Sequence, residues 1–73
     1  MNIEKQLKKL GAETNRMNDR FTVATFKIDD EDKAKSLVIK VADMLKDIDF
    51  GMDKYKSKYG GWIIRLDYRH EEE

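Results

Sequence analysis

Apolar residues recur along this chain with two different periods. Ile3, Leu7 and Leu10 stand four and three apart. That is the spacing of one helical stripe, and it predicts a helix over Asn2–Leu10. Lys5, Lys8 and Lys9 fall off the stripe, toward water. Gly11 is placed to stop the helix. The same period returns more fully in Ala34, Leu37, Val38, Val41, Leu45 and Ile48, which predicts a second helix over residues 30–49. Asp29-Asp-Glu-Asp32 opens it. An Asp at the N-cap, Asp29 or Asp30, accepts orphan N–H groups, and acids in the first turn suit the positive end of the helix dipole. Gly51 follows as the stop.

The other period is that of strands. Phe21-Thr-Val-Ala-Thr-Phe-Lys-Ile28 is rich in β-branched and aromatic residues. Asn18-Asp19 before it is turn chemistry, so Glu13–Met17 and Arg20–Ile28 form a hairpin. A continuation of the first helical stripe through Thr14 to Met17 is the alternative for residues 12–17. The long strand changes phase: Phe21 and Val23 share one face, Phe26 and Ile28 the other. A bulge near Ala24-Thr25 reconciles the two, and coverage of both faces is the other solution. Gly60-Gly61 reads as a two-residue primed turn closing a last hairpin. Counted outward from it, Tyr59 faces Trp62, Ser57 faces Ile64 and Tyr55 faces Leu66 on the core side. Lys58 meets Ile63, Lys56 meets Arg65, Lys54 meets Asp67 and Met52 meets Arg69 on the other side. One core is then expected from Tyr59, Trp62, Leu66, Leu37, Val41 and Leu45, with Met17, Met44 and Met52 in it or at its rim.

The elements add up to a two-layer α+β sandwich of order α-β-β-α-β-β. Its antiparallel sheet, from residues 20–28, 52–59 and 62–69, packs on the main helix, and the first helix closes an edge or a face. Residues 1–70 are the single domain. His70-Glu-Glu-Glu73 reads as a frayed end, with residues 71–73 an acidic disordered tail. Phe26-Lys-Ile-Asp-Asp and Val41-Ala-Asp-Met-Leu, in this order of elements, make the arrangement similar to that of the pterin-carbinolamine dehydratases. That family's consecutive histidines followed by Pro are missing, and Ile48-Asp-Phe-Gly51 occupies the region. The resemblance therefore implies a topology and carries over no activity or site.

Composition narrows the classes. Seventy-three residues make one domain at most, 41% of them charged and none Cys. A disulfide scaffold and a Cys-ligated zinc site are excluded. No apolar run approaches the roughly 18 residues of a membrane span. No basic region followed by an apolar one opens the chain, so no secretory signal is expected and a cytoplasmic setting fits. A domain near this size buries only about 60% of its unfolded surface. Nearly every large apolar side chain is then needed in the core, which leaves no room for an enclosed small-molecule cavity. Dimerisation would relieve the shortage. The net charge is zero but blocky. Residues 1–28 carry six positive and three negative groups, residues 29–53 four and eight, residues 54–70 five and one, and the tail three acids.

Two surfaces are candidates for binding. Lys54, Lys56, Lys58, Arg65 and Arg69 fall on one side of the expected hairpin, a basic face of the kind that tracks a nucleic-acid backbone. Tyr55, Tyr59 and Trp62 alternate to the opposite side, which weakens stacking. A solvated, aggregation-resistant Lys face accounts for the same pattern. The second candidate is an apolar patch of Phe21, Val23 and Ile63, an association surface if these point outward. Asp29–Asp32 lacks the spacing of a calcium loop, and capping accounts for it, so no metal or cofactor is expected. His70, the only histidine, has no evident catalytic partner in sequence, and no Gly-rich phosphate loop or G-x-S-x-G motif occurs. The chain thus reads as a non-enzymatic protein–protein interaction module. It would be of the adaptor or inhibitor type that phages and mobile elements encode, with a protein partner or a second copy as its target and no membrane. A nucleic-acid binder using the basic hairpin face is the alternative.

Overall fold

The computed structural model describes residues 3–70. The elements run α1 (Ile3–Lys9), β1 (Glu13–Arg16), β2 (Phe21–Ile28), α2 (Glu31–Met44), β3 (Phe50–Lys56) and β4 (Trp62–Arg69). The four strands make one antiparallel sheet in the order β1-β2-β4-β3. α2 packs across β4 and β2, and α1 lies against β1. This is the expected α+β arrangement, with residues 13–16 a strand rather than more helix.

Local chemistry sets the element ends. α1 stops at Gly11, where the Ala12 N–H returns to the Leu7 carbonyl at 3.0 Å. The Thr14 hydroxyl donates to Glu4 Oε2 at 2.9 Å and pins α1 to β1. That hydrogen bond, with Lys8 3.6 Å away, holds the Glu4 carboxyl below its ordinary range. The Asn18 side chain accepts from the N–H groups of Arg20 and Phe21 at 2.8 and 2.9 Å, which shapes the β1–β2 turn. Asp30 is the N-cap of α2 and accepts from the Asp32 N–H at 3.0 Å. The helix ends at Met44, earlier than residue 49, because Leu45 leaves helical geometry and residues 45–48 turn. Leu45 is still fully buried.

The core lies on one side of the sheet. Leu7, Phe26, Val41, Leu45, Ile64, Leu66 and Tyr68 are its large, fully buried side chains. Leu37, Trp62, Met44 and Met52 pack against it. No bulge interrupts β2, which pairs with β4 without a break from Phe21↔Arg69 to Ile28↔Trp62. The phase change has another cause. Thr22 and Ala24 hold the core side beside Phe26 and Ile28, and their small size suits their large cross-strand neighbours, Tyr68 and Leu66. Phe21 and Val23 are left on the opposite side.

The last hairpin departs furthest from expectation. Lys56 pairs with Trp62, Lys54 with Ile64 and Met52 with Leu66. The loop is residues 57–61, closed by the Ser57 N–H on the Gly61 carbonyl at 3.0 Å. Ser57 Oγ also accepts from the Tyr59 N–H at 3.1 Å, so Lys58 and Tyr59 form the turn. Gly60 and Gly61 follow it at φ 97° and 79°, where side chains are disfavoured. Relative to a two-residue turn the partners shift by three positions, an odd number, and every β3 side chain changes face. Tyr55 and Tyr59 are therefore outside the core, 47% and 89% exposed. Ser57 joins the loop, and Gly51 is a strand residue rather than a helix stop. Met17 is likewise half-exposed.

His70 is not frayed. Its Nε2 lies 2.7 Å from the Asp19 carbonyl, an acceptor only, so this nitrogen carries the proton. Nδ1 lies 2.9 Å from the Thr22 hydroxyl, within hydrogen-bond distance. The His70 N–H donates to the Arg20 carbonyl at 2.9 Å. The ring thus latches the end of β4 to the β1–β2 turn, with both nitrogens in hydrogen bonds. The expected acidic tail, residues 71–73, lies outside the described residues.

Candidate functional site

The helices cover one face of the sheet. Side chains on the other face follow from the strand registers. β1 contributes Glu13 and Asn15, and β2 contributes Phe21, Val23, Thr25 and Lys27. β4 contributes Ile63, Arg65, Asp67 and Arg69, and β3 contributes Gly51, Asp53 and Tyr55. Solvated faces of antiparallel sheets normally carry polar residues at alternate positions. β2 breaks that rule with Phe21 and Val23 in succession on the open side, followed by Thr25, each half-buried with no helix over it. Ile63 extends the apolar surface between its neighbours Lys27 and Tyr55.

Phe21, Val23 and Ile63 therefore share the open face, as an association patch requires. The five basic residues do not share a face. Arg65 and Arg69 lie on the open side, Lys54 and Lys56 lie on the helix side, and Lys58 sits in the loop. The cause is the five-residue loop, which turns β3 over relative to β4. Lys54 places Nζ 4.8 Å from the Trp62 ring centre, and Lys58 lies 5.6 Å from that of Tyr59. Both cations are thus held on aromatic faces of their own hairpin. No single basic groove results.

The open face has its own electrostatic character. Lys27, Arg65 and Arg69 stand among Glu13, Asp53 and Asp67, three of each sign. Among the described residues none of the six makes an ion pair within the chain. Asp67 leans over Gly51, and a Cβ there would meet its Oδ1 at 3.1 Å. The missing side chain of Gly51 is what admits the carboxylate. Asp67 already stood with Ile63 and Arg65 in the sequence pattern, whereas Asp53 and Tyr55 were not legible as members of this face without the β3 register. The signal that finds them is Ser57 three residues before Gly60, a turn that places its glycines after its centre.

An open depression of about 360 Å³ lies beside α2, lined by Leu10, Asp32, Lys33, Ser36, Leu37 and Lys40. Among the described residues, no group of three metal-binding side chains comes together. Nor, among the described residues, is any helix long and apolar enough to cross a membrane. No protein-family model, curated protein or solved structure matches this chain.

Proposed function

We propose that this domain is a protein-binding module and that the open sheet face is its contact surface. The observation that carries the reading is the run Phe21, Val23 and Thr25 on the uncovered side of a central strand, continued by Ile63 and Tyr55. Outward apolar groups stand at higher free energy in water, and covering them in a contact lowers it by roughly 25 cal/mol per Å². Aromatic residues beside arginines are also what the centres of protein interfaces favour. Scattering of the five basic hairpin residues over both faces and the loop removes support from the nucleic-acid reading, which needs a continuous basic track. A binding role of the adaptor or inhibitor kind is consistent with a face that presents apolar and charged side chains from four paired strands.

The test is site-specific photo-crosslinking in the cells that make the protein. A photoreactive phenylalanine analogue replaces Tyr55 on the open face or Ile39, 71% exposed on α2, as control. The expected result is a discrete protein adduct from position 55 and none from 39. Adducts only to nucleic acid, or no adduct from 55, would overturn the reading.

A further inference from the structure

We propose that the occupant of the open face is a second copy of this chain, docked face to face about a two-fold axis that runs across the strands. This rests on the open face being a protein contact and adds what it contacts. Three observations converge. The first is charge. A face with three positive and three negative side chains, unpaired within the described residues, matches no strongly charged partner but matches itself.

The second is the arrangement of those charges. Most oligomers are two-fold, and a two-fold interface uses one patch twice. Let the axis run across the strands between the Val23–Asp67 and Thr25–Arg65 rows. Each strand then lies reversed over its own copy. Arg65 of one copy falls over Asp67 of the second, and Asp67 of the first over Arg65 of the second. Val23 falls over Thr25, Phe21 over the stem of Lys27, and Ile63 over the stem of Arg69. The half-buried centre becomes two ion pairs flanked by apolar contacts. An axis along the strands would instead stack β1 on β3 and set Glu13 against Asp53. Twisted sheets packed this way cross at about 30°, which keeps the central rows in register.

The third is area. Four strands about 4.8 Å apart, of four, eight, seven and eight residues, present about 430 Å² per copy. Two copies bury about 860 Å², the size of a weak, reversible pair rather than of an obligate dimer. Side-by-side pairing through the edge strand β3 is disfavoured by its sequence. Antiparallel self-pairing that keeps the helices on one side centres on a single residue, and either central choice, Asp53 or Lys54, meets its own like charge.

Sedimentation equilibrium of the purified full chain tests the proposal. The expected mass is twice 8.6 kDa. Arg65→Asp and Asp67→Arg each place like charges across the axis twice, and each should weaken association at least about tenfold. Mixing the two variants sets the two acids of one chain, at positions 65 and 67, against the two arginines of the other, so the double mass should return in the mixture. Far-UV circular dichroism of each variant establishes that it is folded. If one variant does not fold, the other read alone against the parent decides. A parent that stays single up to about 1 mM overturns the proposal. So does a dimer indifferent to both substitutions, or a mixture of folded variants that stays single. A single-chain parent whose position-55 adduct contains a different protein removes the second copy and leaves the contact surface standing. Absence of any protein adduct removes both.

Discussion

Tyr68 is fully buried but keeps a hydroxyl, and its ionisation is opposed by that burial. Its pKa is raised above 10.0, chiefly by desolvation, with the nearby Glu4 charge adding to it. A phenol whose folded pKa exceeds its unfolded value contributes fully below the unfolded value. The contribution is lost as pH rises through the folded one. Stability should therefore decline above pH 10, with a tyrosinate absorbance step that coincides with unfolding and is absent from Tyr68→Phe. A separate step well before unfolding that Tyr68→Phe removes would contradict this. Asp30 acts through one hydrogen bond. Asp30→Ala should cost about 1 kcal/mol in urea denaturation, while Asp29→Ala, one residue outside the cap, should stay within about 0.5 kcal/mol.

At the scale of elements, the β3–β4 loop decides most. Gly61 has φ 79°, and a Cβ there would sit 3.0 Å from the Ile28 carbonyl oxygen; Gly60, at φ 97°, has open space around it. Both alanine variants carry backbone strain of about 1–3 kcal/mol, but only Gly61→Ala adds a collision with backbone. Thermal midpoints should fall further for Gly61→Ala. Equal midpoints would mean that Ile28 yields easily. The helices and β2 were legible because each carries its own signal: a stripe and an acidic cap in α2, β-branched and aromatic residues in β2. The β3–β4 register was not, since a double glycine marks a turn without saying whether it is the turn's centre or its exit.

The whole molecule is a sheet with one furnished side. Leu45, fully buried under the helix layer, and Ile63, half-buried on the open face, are both large and apolar, and their truncations should separate. Leu45→Ala should cost about 2–5 kcal/mol, much of the stability of so small a domain. Ile63→Ser should cost less than about 1 kcal/mol in the isolated chain yet abolish the position-55 adduct. Urea denaturation of the two variants, read beside the cross-linking yield, checks the contrast. Equal losses of stability would mean that the open face is covered within the chain itself.

By itself, the sequence determined where the two helices start, a cap at Asp29 or Asp30, the stop at Gly11, the turn at Asn18 and the α+β class, because each depends on residues within a turn or two of one another. The choice of Asp30, the end of α2 at Met44 and the strand at residues 13–16 came from the structure. The sequence also set Phe21 and Val23 out of phase with Phe26 and Ile28, since alternation is a property of one strand, but left a bulge open as the cause until the unbroken β2–β4 register put the two pairs on opposite faces. Which of those faces is covered was decided only by tertiary structure. Thr22 and Ala24 take the core side because Tyr68 and Leu66, more than forty positions away, fill the space beside them. The fate of the lysines was decided in the same way. One loop of five residues instead of two turns β3 over, sends Lys54 and Lys56 to the helix side, and leaves Tyr55 beside Ile63 on the open face.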